Sequence, residues 1–153
     1  FEEFGVPPEN IVLEITESLA IRRPTHVERQ IAELRALGCK LALDDFGTGY
    51  SSFSYLQTLD CDYIKIDGAF VVDLVDNPVD QKVIKLIADI GREAGMRTVA
   101  EYVQNAEALA LLEELGVDMA QGFFVGRPMK QPQSAPTPVS LKSRRSRRRS
   151  GES

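Results

Sequence analysis

The chain has 153 residues, 43% of them hydrophobic and 27% charged, with a formal net charge of −5. That length holds one domain or part of one, and the composition is that of an ordinary soluble globule. No run approaches the ~18 apolar residues of a membrane-spanning helix, and no signal peptide is visible. Cys39 and Cys61 lack ligand-like spacing and read as free cytosolic thiols. The charge is uneven. Residues 142–153 hold six of the 18 basic residues and one acid, Glu152, so the remaining body carries 12 bases and 22 acids. An acidic body argues against a nucleic-acid groove, although metal ions could still bring a phosphate substrate to it.

The chain opens on Phe1 in mid-pattern, which predicts a further N-terminal portion upstream. Residues 1–10 read as a connector, because Pro7 and Pro8 forbid regular helix. Ile11–Thr16 is strand-like, with Glu14 interrupting the apolar run. A helix is expected from about Thr25 to Leu37, with a Thr25/Glu28 capping box, Ile31 and Leu34 on one face, and Gly38 as its stop. His26, in its first turn, reads as solvated rather than as a ligand. Leu41–Leu43 is a short apolar strand that ends on two adjacent acids, Asp44 and Asp45, before the glycine loop Phe46-Gly47-Thr48-Gly49. A short helix near Ser51–Leu59 should follow.

Asp62–Asp67 is the third strand, with Lys65 among apolar neighbours, where lysine is rarely found unless paired. A long helix runs from about Val79 to Ala94, with Val83, Ile84, Ile87 and Ile90 as its core stripe. Arg97–Glu101 is the fourth strand and again ends on an acid. Asn105 can cap a helix carrying Leu109, Leu112 and Leu115, stopped by Gly116, and Asp118–Gln121 is the fifth strand. The βα alternation predicts a parallel sheet backed by helices. Residues 130–153, with Pro132, Pro136, Pro138 and a Ser/Arg run, read as a disordered basic tail. Nucleic-acid or lipid binding by that tail is the disfavoured alternative to a solvated run.

Polar groups recur at or near strand C-termini: Asp44, Asp45, Lys65, Glu101 and Gln121, joined by Glu14. Both (β/α)₈ barrels and open α/β sheets place their sites there. Adjacent carboxylates repel and need positive compensation, which a hard divalent cation supplies. Asp45-Phe46-Gly47 matches the protein-kinase magnesium motif, but no His-Arg-Asp loop or Ala-Pro-Glu accompanies it, so that reading fails. Acids with a lysine, and no histidine placed as a base, leave metal-assisted hydrolysis or a lysine Schiff-base aldolase.

Leu13-Glu-Ile-Thr-Glu-Ser18, Leu43-Asp-Asp-Phe-Gly-Thr-Gly-Tyr-Ser-Ser52, Tyr63-Ile-Lys-Ile-Asp67, Val99-Ala-Glu101 and Gln121-Gly-Phe-Phe-Val-Gly-Arg-Pro128 resemble, in order, the motifs of the EAL-domain family. The resemblance implies a cyclic-di-GMP phosphodiesterase of bacterial second-messenger signalling, of the kind tied to biofilm and motility control. The implied reaction is hydrolysis to linear pGpG with two divalent ions, Mg²⁺ or Mn²⁺. The implied fold is a modified (β/α)₈ TIM-type barrel, of which residues 1–129 would form about five βα units, the N-terminal units being missing.

By position, Glu14 and Asp44 would bind one ion and Asp45 the second. Glu101 would join the metal cluster or act as general base, and Lys65 would orient the attacking water. Gln121 and Asp67 would support the site or touch substrate. Glu17 would anchor the mobile loop Phe46, Gly47, Thr48, Gly49, which in the family links the metal site to the dimer interface. The resemblance also implies a homodimer, upstream sensor or diguanylate-cyclase-type domains, and a cytoplasmic catalytic domain whose parent could be membrane-anchored upstream. Gln104 stands where the family has a second acid, and the Glu-Ala-Leu signature, an arginine and a metal-binding asparagine have no counterpart here. The chain alone is therefore expected to be inactive, poorly folded or self-associating. A non-catalytic cyclic-di-GMP receptor or scaffold is the alternative for the parent.

Overall fold

The fold was taken from a computed structural model, in which residues 1–22, 24–47, 56, 60–128 and 139–140 are described. The expected short helix at 51–59 lies outside these residues, apart from Leu56, which is buried. Strands β1 (Val12–Thr16), β2 (Lys40–Phe46), β3 (Tyr63–Ile66), β4 (Arg97–Ala100) and β5 (Met119–Ala120) lie side by side in chain order and all run parallel. Helices α1 (Glu17–Arg22), α2 (Pro24–Ala36), α3 (Pro78–Glu93) and α4 (Ala106–Leu115) join them. The architecture is a partial α/β barrel: the strand–helix alternation predicts its parallel sheet, and the barrel is what the family resemblance implies.

Period-two alternation divides each strand between two faces. Leu41 and Leu43 of β2, Ile64 and Ile66 of β3, and Ala100 of β4 are buried with Ile84 and Ile87 of α3 and Leu112 of α4 in one core. Helix α4 is bounded as the sequence predicts, by Asn105 and Gly116, whereas α2 starts at Pro24, so Thr25 falls inside the helix and not at the predicted cap. Asn77 Oδ1 accepts from the amides of Val79 and Asp80 to open α3, Asn105 Oδ1 accepts from Ala108 N to open α4, and Gly116, at φ 91°, closes α4. The α1 turn was not expected from sequence; six residues without a capping signature are too few to show a helical period.

Polar cross-links tie the sheet to itself and to α2. Asp62 Oδ2 accepts from Leu41 N at 2.8 Å, while its Oδ1 takes Arg35 of α2 at 3.2 Å. Between β4 and β5, Asp118 Oδ2 accepts from both Thr98 N (2.9 Å) and Thr98 Oγ1 (3.1 Å). Thr98 Oγ1 in turn accepts from Asp118 N. Both residues are buried, so this exchange replaces ladder bonds that the two-residue β5 is too short to make.

Of residues 130–153, for which disorder is expected, Val139 and Ser140 are the two described, and they are in a strand. Strand β6 (Val139–Ser140) pairs antiparallel with β5, Ala120 opposite Val139 and Met119 opposite Ser140. An open sheet edge offers unpaired N–H and C=O groups to any extended segment within reach, and composition does not register that.

Replacing Asp118 by alanine leaves the Thr98 amide and hydroxyl without their acceptor. The expected cost is about 1–3 kcal/mol, as for other buried donors deprived of a partner. Urea unfolding should show a lower midpoint with an unchanged slope, and Asp118→Asn, which keeps an acceptor oxygen, should lose less.

Candidate metal centre

The face of the sheet turned away from α3 and α4 carries the site. A cavity of about 390 Å³ opens on it, lined by Val12, Glu14, Ala42, Tyr63, Lys65, Val99, Met119 and Gln121 among others. In a regular strand Asp45 would share the helix-facing side with Leu43, and only Asp44 would look the other way. The strand is not regular there. Leu43 pairs with Ile64 and Phe46 with Ile66, so two residues of β2, Asp44 and Asp45, stand against the single residue Lys65 of β3. This is a β-bulge, and Asp45 absorbs it at φ 57°, in the left-handed region that Asp tolerates better than most residues. The phase change sends Phe46 fully into the core and lets both aspartates serve the site.

The result is a cluster. One carboxylate oxygen from each of Asp44, Asp45 and Glu101 lies within 4.8 Å of the others. Lys65 Nζ lies among the acids, 2.8 Å from Glu14 Oε1, 2.9 Å from Asp44 Oδ1 and 2.9 Å from Glu101 Oε1. Burial disfavours the charged lysine, but the three carboxylates outweigh it and hold the ammonium above the usual lysine range. Lys65 is therefore charged at neutral pH. Asp45 moves the other way from most paired acids. Burial, then the charges of Asp44 and Asp67, raise its carboxyl above the usual aspartate range, with Lys65 opposing and a hydrogen bond with Asp67 adding to the rise.

A divalent cation fits this donor set. Among the described residues, Asp44 Oδ1 is cut off from solvent, receives no well-angled hydrogen bond and makes an ion pair with Lys65. The converging donors are carboxylate oxygens, the set that hard ions such as Mg²⁺ and Mn²⁺ prefer over softer metals.

The remaining sequence-derived residues fall around the cluster. Glu14 projects from β1 onto the same face and meets the cluster through Lys65, not as one of the three converging acids. Asp67 lies beside Asp45 and also caps the turn at Gly68–Phe70 by accepting from Ala69 N at 2.7 Å. Glu17, 2% exposed, accepts a 3.0 Å hydrogen bond from Gly47 N, so the expected anchor does meet the start of the expected loop. Thr48 and Gly49 lie outside the described residues.

Gln121 leaves β5 with its amide donating to Ala100 O at 2.8 Å and its side chain exposed. It lines both the inner cavity and a second one, of about 580 Å³, beside Glu101. Sequence reasoning missed Tyr102, which follows Glu101 at φ 61° and lines that second cavity with Gly68, Gln104 and Phe123. Gly122 seats this corner: at φ 153°, a Cβ would fall 2.3 Å from Val103 N.

The family model described as EAL domain matches residues 1–128. The chain belongs to the EAL-domain family. It is 43% identical over 125 residues to the cyclic di-GMP phosphodiesterase PdeB of Shewanella oneidensis, covering 82% of this chain and 15% of that protein. Among solved structures it is similar to the PaMucR phosphodiesterase in complex with c-di-GMP. There the TM-score is 0.80 at 36% identity, over 84% of this chain and 52% of that one. It is also similar to Klebsiella pneumoniae BlrP1 in a manganese/cy-diGMP complex, with TM-score 0.78 at 32% identity over 83% of this chain and 32% of that one. The chain spans about a sixth of the length of the curated relatives it matches, 17%, 15% and 18% for three of them.

Two outcomes test the electrostatics and the anchor. An aspartate whose folded-state pKa is raised costs stability above its unfolded value, near 3.9, and the cost grows as pH rises through the raised one. With metal chelated, Asp45→Asn should therefore melt higher than the wild type at pH 7, and the gain should vanish near pH 3. Glu17→Ala should speed hydrogen exchange at the Gly47 amide and cost about 1–3 kcal/mol, the penalty of an unpaired buried donor.

Proposed function

We propose that the protein carrying this chain hydrolyses cyclic di-GMP to linear pGpG in bacterial second-messenger signalling, using two divalent ions, Mg²⁺ or Mn²⁺. The observation that supports this most directly is the convergence of Asp44, Asp45 and Glu101 beside a charged lysine, in a domain whose relatives are named cyclic di-GMP phosphodiesterases. Asp44, Asp45 and Glu101 would hold the ions, with Glu14 joining from β1. Bound there, divalent ions supply Lewis-acid polarisation of the phosphodiester and a water of lowered pKa.

The chain's own groups do the rest. Glu101 can accept the proton of the attacking water, and Lys65 Nζ, 2.9 Å from Glu101, can donate to that water and hold it in line. One P–O ester bond opens, the water oxygen stays on phosphorus, and a proton ends on the departing sugar hydroxyl. Gln121 and Asp67, which line the second cavity, would touch substrate or its waters. Phe46, expected as part of the mobile loop, is instead a buried residue of β2; the loop begins at Gly47, which is tied to Glu17 and would relay dimer contacts to the site. A homodimer, sensor or diguanylate-cyclase-type domains in the parent, and a cytoplasmic site belong to the same proposal.

Hydrolysis is tested in the parent protein with Mg²⁺ or Mn²⁺, following pGpG. Glu101→Gln should lower turnover by ~10²-fold or more, the scale of a lost general base, and chelation should abolish it. The 153-residue chain alone should show no turnover. Turnover that survives Glu101→Gln or chelation sinks the mechanism, and binding of cyclic di-GMP without pGpG leaves the receptor reading in its place.

A further inference from the structure

Lys65 does more than position water. Its ammonium contacts Glu14, Asp44 and Glu101 at 2.8–2.9 Å, and Asp44 and Glu101 are also two of the three acids that converge as metal donors. The side chains of Lys65, Asp44 and Glu101 are 8%, 20% and 22% exposed, so solvent screens them weakly. Without a cation between them these carboxylates would repel at close range. We infer that Lys65 is the resident counter-ion of the metal-free centre and competes with divalent metal for Asp44 and Glu101.

The inference rests on the metal reading above and deepens it. A dication bonded to an oxygen of Asp44 and one of Glu101 would sit close to Nζ, because Nζ is already 2.9 Å from both acids. Two positive centres at that separation repel strongly in a partly buried site. Metal entry therefore costs Lys65 its contacts with Asp44 and Glu101. The centre thus keeps its acids assembled before metal arrives, and its affinity is set below what the bare carboxylates would give.

The parent protein and its Lys65→Met and Lys65→Arg variants separate the two parts of the inference. Thermal unfolding in EDTA reads the counter-ion, and Mn²⁺ titration followed by electron paramagnetic resonance of the free ion reads the competition. The Met variant should melt lower than wild type in EDTA and bind Mn²⁺ at least tenfold more tightly, while the Arg variant, still charged, should stay near wild type in both. Should the Met variant not fold in EDTA, folding restored by Mn²⁺ gives the same support. A Met variant as stable as wild type in EDTA overturns the counter-ion role. Equal or weaker Mn²⁺ binding by the Met variant overturns the competition, as does an Arg variant that binds as tightly as the Met variant. If Mn²⁺ binds none of the three proteins, the metal reading itself has failed and the competition with it. A lower melting temperature of the Met variant in EDTA would then still support the counter-ion.

Discussion

Two adjacent carboxylates cannot face the same side of a regular β-strand, and the centre needs both of them. The bulge at Asp44–Asp45 resolves that conflict. It sets two residues of β2 against Lys65 of β3, and Asp45 takes the left-handed backbone conformation that makes this feasible. The backbone cost is offset by what lies to either side. Leu43 and Phe46 are both fully buried, so the strand is held in the core before and after the irregular step. A slip that restored regular alternation would expose Phe46 or bury Asp45, and either is costly.

The bulge also concentrates negative charge, and the neighbouring strand answers it. Lys65 is the residue of β3 that stands opposite the bulge, and its burial is tolerable only because three carboxylates receive its ammonium. Asp45 is the acid left outside those three contacts, and its carboxyl is the one held above its ordinary range. Converging carboxylates set against the single ammonium of Lys65 leave the centre short of positive charge. A divalent cation would supply it.

Much of this was legible in the sequence because the relevant signals are local. Asn77-Pro78, Asn105 and Gly116 mark helix ends by the chemistry of their own backbones, and the structure places the helices within a residue or two of those marks. The acids and the lysine could be grouped from sequence because parallel strands with right-handed crossovers present their C-termini to one rim. The bulge could not be read, since alternation counts residues and cannot see that one register step is skipped. Nor could Tyr102 at positive φ, next to Val103, which packs closely on Gly122 and donates to Gln121 O, a contact distant in sequence. The pairing of Val139–Ser140 with β5 depends on an open edge more than a dozen residues away in the chain, while its own neighbourhood, with Pro136 and Pro138, points to the absence of structure.

The short helix α1 shows how the ends of β1 and β2 are coupled. Glu14 sits near the end of β1, and three residues later Glu17 begins α1, buried and accepting from Gly47 N. Gly47 follows the bulge directly, at φ 102°, with the Phe70 ring so close that a Cβ would lie 2.8 Å from it. A side chain at 47 would have to push back the ring or shift the backbone whose amide donates to Glu17. The strand end bearing Glu14 and the strand end bearing Asp44 and Asp45 are therefore linked twice, through Lys65 on the site face and through Glu17 beneath the loop. The Glu17 bond joins the start of α1 to the residue that follows the end of β2.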